Sequence, residues 1–278
     1  MTHLLVLFLF VLLLTGFILY LVLRSRPLRG PFMVSHRGAR ALAPENTLAG
    51  VSGAIDRGAV FIEVDVQRSA DGVLVVIHDN TVDRTTDGTG KVGELTYDEI
   101  GRLDAGSHFS TEFAGEPIPT LDAILELVAA KQVTLVLEAK SPELYPGIEQ
   151  QIAEALQRFE VQDRVIVISF DHDWLERFHE AAPQVRLGEL WTWMGRSRPL
   201  PMTRLVDVYW PSVIVDPTLV KRAHAQGYEV VVWTVNNPWA MKLLLWLGVD
   251  GITTDRPDLW PKLNRPRHQN TDSTVADP

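Results

Sequence analysis

No cysteine occurs anywhere in the 278 residues, which excludes thiolate nucleophiles, disulfides and sulfur-ligated zinc or iron–sulfur centres and leaves the redox compartment open. Positive charge is also in short supply: 26 Lys and Arg stand against 35 Asp and Glu, for a formal net charge of −9. Without a general basic face a nucleic-acid partner is disfavoured, whereas a small phosphorylated ligand is easy to accommodate. Charge of either sign is missing altogether from residues 4–23, LLVLFLFVLLLTGFILYLVL. A run of that length is close to what an α-helix needs to cross the hydrocarbon core, and we read it as a single-pass membrane anchor. A cleaved signal peptide would have a shorter apolar region, basic residues in front and a small-residue cleavage site, but only Met1, Thr2 and His3 precede this one. A buried core helix is disfavoured by the all-round apolar character. Arg24, Arg26 and Arg29 follow the run, so the positive-inside rule puts the downstream domain in the cytoplasm.

With 46% hydrophobic residues, the remainder can bury a sizeable core. Residues 24–30 read as a juxtamembrane linker, 31–263 as one domain and 264–278, which lack apolar periodicity, as a disordered tail. Within the domain, short apolar or β-branched runs alternate with amphipathic stretches, the pattern of βα units on a parallel sheet. Strands are expected at 33–36, 61–66, 134–138, 165–169, 186–190, 213–215, 229–234 and 251–253. Eight such strands separated by helices predict a closed (β/α)8 barrel. Helices are expected at 47–57, 120–130, 146–158 and 171–181. Two more should run from Asp216-Pro217 to Gly227 and from Asn237-Pro238 to Gly248, each with a capping residue and proline at the start and glycine at the stop. The crossover near residues 203–207 is the least defined. A further strand at 73–78 follows residue 66 too closely for a parallel crossover, so the two should form a hairpin through Asp71-Gly72. That pairing brings His78 back beside Glu63 and Asp65. Residues 79–119 then form a long insertion, with a weak helix at 97–102, of a length more often functional than filler.

The chemistry follows from the strand period. Residues at i and i+2 share a face, so Glu63 projects with Asp65 and Glu138 with Lys140, converging on the barrel mouth where such barrels carry their sites. Clustered buried carboxylates repel unless a cation joins them, and an all-oxygen set suits one divalent cation, Mg²⁺ or Ca²⁺. His36 and His78 close two other strands and can act as a general acid/base pair. Arg37 offers a fork for phosphate oxygens and Lys140 a point charge for a transition state. Each piece alone has a plainer reading, a structural histidine or a solvated Glu-x-Asp. That reading is hard to hold for Glu63 and Asp65, which interrupt an otherwise buried run. The set as a whole looks like a metal-assisted phosphodiester hydrolase.

At this point residues 34–257 resemble the glycerophosphodiester phosphodiesterases, through SHRG (35–38), PENT (44–47), EVDV (63–66), HDN (78–80), PTLDAIL (119–125), LEAK (137–140), SF (169–170), VWTVN (232–236) and GITTDRP (251–257). The resemblance implies a barrel with a hairpin insertion and a divalent cation on Glu63, Asp65 and Glu138. It also implies acid/base roles for His36 and His78, phosphate and transition-state contacts from Arg37 and Lys140, and an apolar wall for glycerol from Trp233. A glycerol phosphodiester would be cut into glycerol 3-phosphate and an alcohol. Glu45 and Asn46 are expected in support, although Asn46 could instead cap the helix at Thr47. Asp255 and Arg256 read as a structural ion pair.

The anchor raises a second substrate reading, a lysophospholipid cleaved to lysophosphatidic acid and a head-group alcohol. Trp191, Trp193 and Met194 would face an acyl chain at the mouth, unless one is core and the other ordinary surface, and the 79–119 insertion, with Phe109 and Phe113, would act as a lid. Two alternatives from other classes are a lyase that releases a cyclic phosphate and a non-catalytic, membrane-tethered barrel that binds phospholipid. Nothing in the chain points to a protein partner.

Overall fold

The computed structural model describes residues 2–23, 27, 30–193 and 199–263. Nine strands form one sheet: β1 (Phe32–Ser35), β2 (Phe61–Arg68), β3 (Leu74–Val76), β4 (Thr134–Ala139), β5 (Val165–Ser169), β6 (Arg186–Trp191), β7 (Leu205–Tyr209), β8 (Glu229–Trp233) and β9 (Gly251–Thr254). All but β3 are parallel, and β1 pairs with both β9 and β2, which closes eight strands into a barrel. Closure removes every free edge from the parallel set. The ninth strand, β3, is the hairpin partner of β2: it runs antiparallel with Val66 opposite Val76, after a turn in which Gly72 takes the positive φ of 90° that glycine alone adopts freely.

The helices are α1 (Thr2–Leu23), α2 (Leu48–Asp56), α3 (Tyr97–Ile100), α4 (Leu121–Lys131), α5 (Ile148–Arg158), α6 (His172–Ala181), α7 (Pro211–Val215), α8 (Leu219–Ala225), α9 (Pro238–Leu247) and α10 (Trp260–Leu263). Their starts are written locally: Thr47, Thr120, Asp171 and Asn237 each accept a backbone N–H of the first turn through the side chain, satisfying donors that a helix leaves open. The alternation of each strand sorts residues into two cores. Ile62, Val64 and Val66 of β2 pack outward with Leu121, Ile124 and Leu125 of α4, while Val34, Val136, Ile166, Ile168, Leu190, Leu205 and Val231 fill the barrel interior. The insertion after β3 is folded around its own small core of Val75, Ile77, Val82, Val92, Ile100, Ala105 and Ile118.

Two expectations need correcting. Residues 213–215 are not a strand; they lie in α7, where Pro211 occupies the first turn and Val215 is exposed. The strand at this place in the barrel is β7, earlier in the chain, with Val206 and Val208 outward and Leu205 and Asp207 inward. An acidic residue in the middle of the run hides its apolar character. The helix expected to begin at Pro217 instead begins at Leu219 after Thr218, because Asp216 binds the Thr218 N–H and hydroxyl at 3.1 and 2.6 Å and holds a turn there.

Among the described residues no helix is long and apolar enough to cross a membrane, so the expected span at 4–23 is unsupported by the structure. Several of its side chains, and the whole of Arg24, Arg26, Arg29, Met194 and the tail 264–278, lie outside the described residues.

Candidate active site

The inward faces of β2 and β4 bring the acids together. Asp65 lies in register with Glu138, and one oxygen from each of Glu63, Asp65 and Glu138 lies within 4.8 Å of the other two. All three residues are buried. Burial drives the Glu63 carboxyl well above the usual carboxylate range, and the charges of Asp65 and Glu138 add to the rise. Burial pushes Glu138 up to about 7, against the pull of Lys140. For Asp65, burial is outweighed by Lys140 and Arg37, and the carboxyl is held low.

The loop after β1 wraps this cluster with donors. Arg37 takes the left-handed conformation, φ 51°, which turns its backbone N–H onto Glu63 Oε2 at 2.7 Å and its guanidinium toward Asp65 at 3.3 Å and Glu45 at 2.8 Å. Gly38 follows at φ 83°, where a Cβ would stand 2.7 Å from the Gly50 carbonyl carbon; only glycine lets the loop lie against α2. Asn46 is a partner of the acids rather than a cap. Its amide nitrogen donates to Asp65 Oδ2 at 2.8 Å while its oxygen accepts the Asp65 N–H at 3.1 Å, and Thr47 does the capping. Glu45 collects Arg37, Arg40 and Arg84; burial would raise its carboxyl, but Arg84 and Arg37 hold it below the usual range. On β4, Lys140 Nζ lies 2.6 Å from Glu138 and 3.3 Å from Asp65. Burial would lower its pKa, but these two acids raise it.

The two histidines are each held at Nδ1. Asp255, just after β9, is 2.6 Å from His36 Nδ1, and His36 Nε2 is 4.0 Å from Glu63. Asp79 is 2.6 Å from His78 Nδ1 and is itself gripped by Arg84. A carboxylate on Nδ1 fixes the tautomer that leaves Nε2 free to accept a proton. Burial lowers the His78 pKa below its ordinary value, with Asp65 opposing. The backbone carrying His78 is pinned by Gln67, whose amide donates to the carbonyls of Ile77, His78 and Asp79 at 3.1, 3.0 and 2.6 Å and accepts Tyr145 Oη at 2.9 Å.

His36, Arg37, Glu63, His78, Glu138, Lys140 and Trp233 all line one cavity of about 320 Å³, and His78, Glu138 and Lys140 also border a neighbouring one of about 680 Å³. Phe170, Tyr209, Trp193 and Trp233 make an aromatic chain at the mouth, with ring centroids 5.0 to 5.8 Å apart. Of the two tryptophans at the end of β6, Trp191, its last residue, is buried with its indole N–H on Glu189, and Trp193, two residues on, is 58% exposed. Phe109 and Phe113 pack edge to face on each other and line neither cavity.

Sequence reasoning missed Asp255, Asp79, Arg84, Gln67 and Asp207. Asp255 does not pair with Arg256, which binds Asp258. The carboxyl of Asp207, inward on β7 in the same cavity, is raised well above its usual range by burial and then by Glu138. A polar residue on the inward register of a strand is the signal that could have found it.

The arrangement can hold a hard cation, bind a phosphate and exchange protons from two sides. A profile of the glycerophosphoryl diester phosphodiesterase family matches residues 36–259. A glycerophosphodiester phosphodiesterase of Caldanaerobacter subterraneus subsp. tengcongensis is 41% identical over 230 residues, covering 81% of this chain and 94% of that protein. The human glycerophosphodiester phosphodiesterase 1 is 28% identical over 235 residues, covering 73% and 71%. A crystal structure of a glycerophosphodiester phosphodiesterase from Agrobacterium tumefaciens superposes with a TM-score of 0.73 at 33% identity, covering 84% of this chain and 99% of that one. A phosphodiesterase from Oleispira antarctica, solved in complex with the product sn-glycerol-3-phosphate, matches with a TM-score of 0.72 at 28% identity, covering 84% and 95%. The fold, the site and these similarities together make the chain a member of the glycerophosphoryl diester phosphodiesterase family of phosphoric diester hydrolases.

Proposed function

We propose that this protein hydrolyses glycerophosphodiesters to glycerol 3-phosphate and an alcohol. The observation that carries the reading is the placement of two carboxylate-held histidines and a triple-carboxylate cluster around one cavity. The cluster fits a divalent cation by its donor chemistry: Glu63 Oε1 is buried without a hydrogen-bond partner, a costly state that a hard ion relieves, and Asp65 Oδ1 has only the Lys140 ammonium at 3.3 Å. Glu63, Asp65 and Glu138 would hold one Mg²⁺ or Ca²⁺, which supplies polarisation of a phosphoryl oxygen. Arg37 and Lys140, already aimed at the cluster, bind the phosphate and offset charge that builds on it in the transition state. One of His36 and His78 takes the proton of the attacking water through Nε2, and the other gives a proton to the departing alkoxide. Trp233 forms the apolar wall against the glycerol portion, while Glu45 and Asn46 hold Arg37 and Asp65 in place.

Residues 4–23 are, in the same reading and from the sequence rather than the structure, a single-pass membrane anchor that leaves the barrel in the cytoplasm. Twenty consecutive uncharged residues support it. A second substrate reading, a lysophospholipid cleaved on the head-group side, is favoured by the exposed Trp193 and Phe170 at the mouth, side chains suited to an acyl chain or an interface.

Purified full-length protein and a form lacking residues 1–30 should be given glycerophosphocholine and lysophosphatidylcholine, with and without Mg²⁺ or Ca²⁺. Release of glycerol 3-phosphate and choline from the soluble diester by both forms supports the first reading. Turnover of only the lysolipid supports the second. Lipid binding without turnover of either would leave a non-catalytic barrel.

A further inference from the structure

Asp207 is the buried acid of the cavity that the chemistry above leaves idle. It projects inward from β7, 4% exposed, into the cavity that also holds His36, Glu138, Trp233 and Thr253. Its Oδ1 has no hydrogen-bond partner among the described residues. The indole N–H of Trp233 passes the side chain by and donates to the Asp207 backbone carbonyl at 3.1 Å. Thr253, inward on β9 in the same cavity, likewise keeps its Oγ1 buried and unpartnered. Asp207 stands outside the Glu63, Asp65 and Glu138 cluster, and its surroundings on this side of the cavity, Ile168, Leu190 and Trp233, are mostly apolar.

An unpaired polar group costs stability in such a wall, and a pocket of apolar walls with a few convergent polar groups is how proteins select a small polar ligand. The substrate of the phosphodiesterase reading, on which this inference rests, brings free hydroxyls on its glycerol portion and an apolar carbon chain between them. We propose that Asp207, assisted by Thr253, binds a glycerol hydroxyl of the substrate and so sets the preference for polyol diesters over diesters without hydroxyls. A site built to pair with a hydroxyl rejects an analogue lacking it far more strongly than an apolar pocket can discriminate by size, because its own polar groups are then left buried and unpaired.

The test compares kcat/KM for glycerophosphocholine with that for bis(p-nitrophenyl) phosphate, which carries no hydroxyl, in wild type, Asp207→Leu and Asp207→Asn. Asp207→Leu should lower the ratio at least about tenfold, mainly through KM for glycerophosphocholine. Asp207→Asn keeps the volume and a hydrogen-bonding end and should lower it less, but measurably, so that a leucine variant that fails to fold still leaves a reading. An unchanged ratio in Asp207→Asn and Asp207→Leu, or an equal loss on both diesters, overturns the proposal alone. No turnover of either diester by wild type overturns the phosphodiesterase reading and this proposal with it.

Discussion

Asp255 lies 2.6 Å from Nδ1 of His36 although 219 residues separate them; the first and last strands of the barrel, paired at Ser35 and Thr254, bring the two together. The contact orients the imidazole so that Nε2 faces the acid cluster. Asp255→Asn should therefore cut kcat by roughly 10²-fold or more, the scale of a lost acid/base contribution, with little change in KM or in the melting temperature. A change confined to KM, measured on glycerophosphocholine, would place Asp255 outside proton transfer.

His36→Ala and His78→Ala should each lower turnover by about 10² to 10⁴-fold while the circular dichroism spectrum stays that of the wild type, because neither side chain fills a large core site. The double variant should be little worse than the single ones, since residues acting as a unit are not additive. Activity near wild type in both single variants would sink the acid/base pair.

Chelation should abolish activity, and Mg²⁺ or Ca²⁺ should restore it and raise the melting temperature by mass action. The pH dependence of the chelated protein has a definite sign. Glu138 has a folded pKa of about 7 against an ordinary 4.5, so between those values the folded state binds more protons than the unfolded one, and stability falls as pH rises across that window. Glu63 and Asp207 are raised as well and act in the same direction; His78, lowered by burial, opposes them below pH 6.5 as one group against three. Thermal melts from pH 4.5 to 7 should show this slope in chelator and lose it in excess cation. A slope of the opposite sign would argue against a repelling carboxylate cluster.

Glu45 holds both Arg37 and Arg84 at 2.8 Å. Glu45→Gln should raise KM for the diester severalfold and leave kcat less affected, since it loosens Arg37, the proposed phosphate contact, directly and reaches His78 only through Arg84 and Asp79. Steady-state kinetics on the soluble diester checks this directly.

Much of the barrel was legible because its strands are short, apolar and punctuated. The run at 61–66 could be placed because Glu63 and Asp65 interrupt it on one face, and that same interruption marked the buried acid cluster. Asp71-Gly72 announced the hairpin and Asn237-Pro238 the start of α9 to the residue. The strand β7 was not legible, since Asp207 breaks its apolar alternation and the β-branched residues 213–215 behind Pro211 offered a better-looking run. The partners of the histidines failed for a different reason. Asp255 beside Arg256 reads locally as an ion pair, and only closure of the barrel shows that it belongs to His36. Asn46 in support of the acids is the expectation that the structure matches, since Thr47 takes the cap and leaves Asn46 to Asp65. Contacts across long sequence separation leave no local trace in one chain.

The most direct test of the account is hydrolysis of glycerophosphocholine in H₂¹⁸O with Mg²⁺ or Ca²⁺ present, followed by mass spectrometry of both products from the earliest times. Attack of water on phosphorus, with one histidine as base and the other as acid, predicts a single ¹⁸O in the phosphate of glycerol 3-phosphate and none in choline. Release of a cyclic glycerol phosphate, or label appearing in choline, would contradict it.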